Sequence, residues 1–275
     1  MNILLVSHSN KIAELQPYVD CIYELDKSNI RLWYTNFIDP QDLLNYLNNN
    51  SKVKYEYMLV MSTLFDTTME NLPYKFIIYD RIDGGQLSYN TRKFIKNKNV
   101  VGVIKNYVYN PLTLYNSPYY RKHAEKLYAA NLIDEPQHKV DDIIDLADLK
   151  KIHSGYGFGA YSGLRHTIKN LVLDNVIDFD KLRKFNLHCC LGTHLQSTHD
   201  LYKHQEMALN IAKNIQKSYV KVGVTFLQYI RTMQDSYCVL SPWRKGEAAY
   251  RDYEALACGC ILIKPNSSYI ISTPN

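Results

Sequence analysis

Residues 236–265 read SYCVLSPWRKGEAAYRDYEALACGCILIKP. An apolar run, SYCVLS at 236–241, leads into a turn built on Pro242. A helix-length segment follows at 247–258, and a second apolar run, CILIKP at 260–265, closes the unit. Two buried strands joined by one helix run parallel, because the helix carries the chain back along the sheet before the second strand starts. Arg244, Lys245 and Gly246 stand just ahead of the helix, which is expected to begin near Glu247. A helix N-terminus offers unpaired N–H groups and partial positive charge, so this turn is a seat for a diphosphate. Glu247, Arg251, Glu254 and Cys258 follow at spacings of 4, 3 and 4 and share a face. The opposite set, Ala249, Tyr253, Leu256 and Cys260, is expected to dock on the sheet. On such a face Arg251 can neutralise phosphate while Glu254 accepts hydrogen bonds from ribose hydroxyls. The same spacing also describes an exposed salt-bridge ladder worth roughly 0.3 kcal/mol per pair.

The pattern extends outward in both directions. Ahead of it lie a strand at 185–192 (FNLHCCLG), a helix over 199–217, a short strand at 219–224 and a short helix over 225–233. Leu201, Met207, Ala208, Ile211, Ala212 and Ile215 give the longer helix an apolar stripe. The first half repeats the alternation, with strands at 2–7, 30–35, 56–62, 75–79 and 99–104 and helix-like stretches at 11–25 and 40–47. Continuous apolar strands separated by helix-length segments imply parallel sheets covered on both faces. Residues 105–165 break the rhythm, with a helix expected near 119–131 and a glycine-dense stretch, SGYGFGAYSG, at 154–163. The expectation is an α/β chain of two Rossmann-like lobes, 1–165 and 166–275, with ligands at the carboxyl ends of the strands in a cleft between the lobes.

Composition narrows the function classes. The chain has 275 residues, 46% hydrophobic and 21% charged, which is an ordinary globular balance and excludes disorder, collagen and coiled coil. No run approaches the ~20 apolar residues of a membrane span. The start, MNILLVSHSN, reads as a first strand and not as a signal peptide. The six cysteines sit mostly in apolar runs at spacings that fit neither a disulfide framework nor a zinc site, which points to free thiols in a reducing compartment, the cytoplasm. A net charge of +5 suits an anionic small ligand without demanding a nucleic acid.

The string from Ser241 to Ile263 resembles the donor-site segment of exostosin-like glycosyltransferases, two-lobed enzymes of the GT-B class. Their pattern runs from a strand through a Ser-Pro-x-Gly-type loop and an Arg to Glu-Ala-Leu and a Gly-Cys-hydrophobic strand. Ser241, Pro242, Gly246, Glu247, Arg251, Glu254, Ala255, Leu256, Gly259 and Cys260 hold the matching positions. Trp243-Arg244-Lys245 lengthens the loop where shorter forms pass straight to Gly. A weaker likeness covers FNLHCCLGTH at 185–194. Glycosyltransferases of large algal viruses are similar in size and layout, and some of them use UDP-xylose; if the chain is viral, its cytoplasm is the host's. Many members carry a further C-terminal helix that packs on the first lobe, whereas this chain stops ten residues after Pro265.

The resemblance implies a GT-B-like fold, a nucleotide-sugar donor, UDP-linked and of the kind of UDP-xylose, and a glycan hydroxyl on an oligosaccharide or glycoprotein as acceptor. It also implies inversion and no metal or other cofactor. Besides the matching residues, Arg244, Lys245 and Tyr250 belong to the expected donor site. Gly192, Thr193 and His194, at the end of the first strand of the second lobe, are expected to approach the diphosphate, with Lys221 and Tyr229 near the base or ribose. Transfer needs a base for the acceptor hydroxyl. Candidates at strand ends of the first lobe are His8, Asp66 and the pair Asp80 and Asp83 in YDRIDGG, with Asp83 favoured for its place beside Gly84 and Gly85. Two rivals stay open: a metal-dependent GT-A transferase using Asp178-Phe179-Asp180, and a protein that binds a nucleotide or carbohydrate without turnover.

Overall fold

Of the 275 residues, the computed structural model describes 1–8, 15, 30–37, 39–50, 52–81, 86–116, 143–155, 181–191, 201–243 and 248–272. Strand β1 (Asn2–His8) buries Leu4, Leu5 and Val6 and pairs in parallel with β2 (Arg31–Phe37) on one side and β3 (Tyr57–Met61) on the other. Beyond β3 the sheet continues through β4 (Lys75–Asp80), β5 (Val100–Lys105) and β7 (Ile152–Ser154), all parallel. The spatial order β2-β1-β3-β4-β5-β7 means that the chain leaves β1 to one side and returns to the other. The switch point therefore lies between β1 and β3, at whose carboxyl ends stand His8 and Ser62.

Helix α1 (Pro40–Asn49) starts where Asp39 accepts the Gln41 N–H at 2.6 Å and Pro40 supplies a preset φ, and it buries Leu43 and Leu47. Helix α2 (Tyr89–Phe94) is capped by Ser88. Phe65 packs between Phe76 and Phe94 at centroid distances of 4.9 and 5.2 Å. A short helix α3 (Leu146–Leu149) precedes β7. The last strand, β12 (Ile270–Ser272), pairs antiparallel with β6 (Tyr107–Tyr109), so the chain end returns to the first of two compact units.

The second unit holds β8 (Phe185–Leu191), β9 (Ser218–Val222), β10 (Ser236–Leu240) and β11 (Ile261–Ile263) in the order β11-β10-β8-β9, again all parallel. Alternate residues of β8 face opposite sides. Leu187, Cys189 and Leu191 meet Leu209 and Ala212 of α4 (Leu201–Lys213). On the other side Val239 of β10 packs with Ile230 and Met233 of α5 (Phe226–Gln234) and Ala255 of α6 (Tyr250–Ala257). Helix α6 ends on Gly259 at φ 68°, with Gly259 N–H reaching Leu256 O and Cys260 N–H reaching Ala255 O. That pair of bonds needs a left-handed residue, which accounts for the glycine before β11. Both units are thus Rossmann-like, and the two parallel sheets give the α/β class expected from the sequence.

The helices expected at 11–25, apart from Leu15, and at 119–131 and the glycine-dense stretch from 156 lie outside the described residues. The helix expected over 199–217 spans Leu201–Lys213, because β9 already begins at Ser218. The helix expected at 247–258 begins at Tyr250. The five described cysteines are free, and burial pushes up the thiols of Cys189, Cys190, Cys258 and Cys260, Cys190 to about 11 and Cys258 to about 12. No helix among the described residues is long and apolar enough to cross a membrane.

Asp80 and Lys105 face each other at the carboxyl ends of β4 and β5. Both are fully buried and their charges lie 3.9 Å apart, while Ser88 N–H donates to Asp80 Oδ2 at 2.7 Å. Removing one member of a buried pair strands the other. Lys105→Met should cost about 3–5 kcal/mol in denaturant unfolding, and most of that loss should return in the Asp80→Asn, Lys105→Met double variant.

Candidate functional site

In the second unit β8 leads away to β9 and β10 leads away to β11, so the switch point falls between β8 and β10. The side chains gathered at their carboxyl ends come mostly from the first two turns of α6. Ser241, the residue after β10, is buried and donates to Asp252 Oδ1 at 2.6 Å. The other oxygen of Asp252 accepts the Ala249 N–H at 3.1 Å and pairs with Lys264, just past β11. One carboxylate therefore ties the ends of two strands to the start of the helix. Ala249 has no side-chain acceptor for a helix start, and Asp252 supplies one from the third helical position. This is why the helix opens three residues later than expected.

The facing of α6 is the reverse of the expectation. Arg251, Asp252, Glu254 and Ala255 are turned inward, with Cys258 just past the helix, whereas Leu256 is 60% exposed. The charged residues find partners at the strand ends, and the small Ala255 lets the helix approach Met233 and Val239. Neither Arg251 nor Glu254 belongs to an exposed ladder.

Arg251 is 8% exposed. Its Nη2 donates to the Cys190 carbonyl at 2.6 Å, near the end of β8. Its Nε and Nη1 have no hydrogen-bond partner among the described residues. Buried guanidinium donors left this way are costly in a fold and suited to an anion that brings its own oxygens. One turn on, Glu254 is 6% exposed and accepts from the Tyr229 hydroxyl at 2.7 Å. Burial raises its carboxyl pKa; Tyr229 and the Arg251 charge pull it back in part, and Asp252 adds to the rise. His188, on β8, is stacked on Tyr219 and set edge-on to Tyr229, with Nε2 3.2 Å from Thr232 Oγ1. Burial, reinforced by Arg251, lowers it to about 4, so it is neutral at pH 7.

The structure brings together Ser241, Arg251 and Glu254 from the expected donor site. Tyr250 is half-exposed, and Pro242 lines a separate apolar pocket of about 140 Å³ with Leu240, Pro265 and Met207 on the α4 side of the sheet. Gly192, Thr193, His194, Arg244, Lys245, Gly246 and Glu247 lie outside the described residues, as do Asp83, Asp178 and Asp180. His8 closes β1, its N–H 3.1 Å from Met61 Sδ. Asp80 is enclosed by the fold. Sequence reasoning missed Asp252, Lys264 and His188. Asp252 carried a signal, an acidic residue at the third helical position, that is legible only once the helix start is placed correctly.

No family model matches the sequence, and no curated protein matches it. Among solved structures, the chain is similar to the UDP-GlcNAc 2-epimerase of Methanocaldococcus jannaschii, with 11% identity, 96% of this chain and 83% of that chain covered, and a TM-score of 0.37. A putative UDP-N-acetylglucosamine 2-epimerase from Listeria monocytogenes shows 10% identity over 97% of this chain and 79% of that one, with a TM-score of 0.39. An alpha-glucosyltransferase in complex with UDP-glucose and DNA containing an abasic site shows 8% identity over 97% and 80%, with a TM-score of 0.40.

The two shifted groups act on stability in opposite senses. His188 is depressed from 6.5 to about 4, so its contribution is complete above pH 6.5 and is lost as pH falls toward 4. Glu254 is raised, so its neutral form is favoured in the fold and stability is lost as pH rises through its folded pKa. Thermal unfolding across pH 4–8 should show Glu254→Gln gaining on the wild type as pH rises, with the gap closing in acid. His188→Asn should flatten the loss on acidification.

Proposed function

We propose that the protein is a glycosyltransferase that moves a sugar from a UDP-linked donor such as UDP-xylose to a hydroxyl of an oligosaccharide or glycoprotein glycan, with inversion and without a metal. The observation that carries this reading is Arg251, which donates from Nη2 to a carbonyl of β8 and whose Nε and Nη1 have no hydrogen-bond partner among the described residues, one turn from the buried Glu254. A cation and an acceptor so spaced match the two ends of a nucleotide, phosphate at one and ribose at the other.

In the reaction the acceptor oxygen attacks the anomeric carbon while the bond from that carbon to the diphosphate oxygen breaks. The electron pair of that bond passes to the diphosphate. Arg251 and the N-terminus of α6 stabilise the growing charge, aided by Arg244 and Lys245, which precede that helix in the sequence. Gly192, Thr193 and His194, after β8, contribute at the same strand ends. The hydroxyl proton goes to a base. Asp83 is the favoured base, with His8 and Asp80, the latter buried and engaged by Lys105 and Ser88, as the alternatives.

The test is a thermal-shift panel of UDP, GDP and CMP sugars followed by an assay of nucleoside diphosphate release with a glycan acceptor. Ligand at 100 times its Kd should stabilise the protein by about 2.7 kcal/mol, so the true donor stands out. Turnover should persist in EDTA. Arg251→Met should abolish the stabilisation by the donor. Asp83→Asn or His8→Ala, whichever removes the base, should keep donor binding and lower turnover about 100-fold. A protein stabilised by none of these compounds is not a transferase of this kind, and one that binds without releasing nucleoside diphosphate is a binding protein.

A further inference from the structure

We propose that Tyr229 is a positioning residue for nucleotide recognition, its hydroxyl fixing Glu254 Oε2 so that Oε1 is the oxygen turned to a ribose hydroxyl. The proposal rests on the reading of Glu254 as the ribose acceptor and deepens it. A glutamate carboxylate turns freely about its last torsion, where the preference is broad and two-fold. An acceptor that must meet one hydroxyl needs that torsion held. The Tyr229 hydroxyl donates to Oε2 at 2.7 Å from a different helix, α5, so the restraint does not move with the α6 backbone.

The donor is itself held. The Tyr229 ring meets His188 edge-on at 5.3 Å and lies 6.3 Å from Phe226 at 29°. Thr225 caps α5 one residue before Phe226, accepting the Gln228 N–H at 3.3 Å. Burial and the Glu254 charge keep the phenol protonated, against the pull of Arg251, so it remains a donor across the working pH range. Among the described residues, the charged and titratable groups that face this carboxylate are Tyr229 from α5, Arg251 and Asp252 from α6, and Cys258 at its end. His188 of β8 meets Tyr229 and feels Arg251. A site whose acceptor is fixed and buried rejects a ligand lacking the matching hydroxyl, because the acceptor is then left unpaired.

Calorimetric titration with UDP, 2′-deoxy-UDP and 3′-deoxy-UDP separates the possibilities. Wild type should bind UDP about tenfold more tightly than the weaker deoxy analogue, the scale of one hydrogen bond to a charged group. Tyr229→Phe should narrow that ratio to about twofold and move the acid limb of UDP binding to higher pH, since the carboxyl loses the bond that lowers its pKa. Glu254→Gln, which leaves only a neutral acceptor, should bring the ratio down to about twofold, and adding Tyr229→Phe to it should change nothing more. If Tyr229→Phe weakens all three ligands by one factor, or alters the ratio in the Glu254→Gln background, the positioning role is overturned while Glu254 keeps its own. Should wild type show no ratio, or Glu254→Gln leave it intact, the reading of Glu254 fails and the proposal with it. If Tyr229→Phe alone does not fold, the double variant, which removes the buried charge together with its donor, still decides by comparison with Glu254→Gln.

Discussion

A guanidinium held by one of its five donors is the constraint on which the second unit turns. The bond from Arg251 Nη2 to the Cys190 carbonyl spans from the first turn of α6 to the end of β8, a strand that α6 does not follow in the chain. It sets the rotation of the helix about its own axis. With that rotation fixed, Glu254 must point inward one turn later and Leu256 must point out, at the expense of an exposed leucine. A helix positioned by hydrophobic burial alone would have chosen the other face. The Asp252 cluster makes the arrangement affordable in a physical sense: Ser241, Ala249 and Lys264 hold the helix start independently of Arg251, so the guanidinium can keep donors uncommitted without loosening its own anchor.

The two units obey the same topological rule and use it differently. In each, the chain leaves a central strand in one direction and comes back on the other side, which opens a crevice at the carboxyl ends. In the second unit that crevice collects Arg251 and Ser241, and polar capacity remains there. In the first unit the nearest buried charges, Asp80 and Lys105, sit on β4 and β5, away from the switch strands β1 and β3. They close on each other and on Ser88. Burial alone does not separate a functional charge from a structural one. The separation comes from where the group sits relative to the switch point and whether its donors and acceptors are already used.

Much of this was legible in the sequence. The parallel strands announced themselves as continuous apolar runs, and β1, β3, β4, β5, β8 and β10 lie within a residue or two of where those runs fall. Helix α2 was not legible, because YNTRKF carries no apolar stripe; Thr91 and Arg92 are buried although polar, which periodicity does not register. The three-residue strands β6, β7 and β12 are too short to show an alternation. For α6 the two alanines before Tyr250 read as helix interior, and Leu256 reads as a residue docked on the sheet. Both errors share one cause. A side-chain carboxylate that caps a helix and a guanidinium that bonds a distant carbonyl are tertiary interactions, and nothing in local spacing distinguishes them from a surface ladder.

The electrostatics around Arg251 then reduce to few terms. The His188 imidazole is kept neutral by burial and by the cation itself. The thiols of Cys189 and Cys190 are pushed up by burial, against the pull of the same cation, and remain uncharged. The Tyr229 hydroxyl is raised and stays a donor. Asp252 is matched by Lys264. What remains is one cation beside one carboxylate, Glu254, whose charge burial opposes. Glu254 offsets part of the guanidinium charge, and an arriving anion would find Nε and Nη1 without a hydrogen-bond partner among the described residues. The low local polarity that makes Glu254 reluctant to ionise is also what makes an added phosphate contact strong, so the cost to the fold and the gain in binding share one origin.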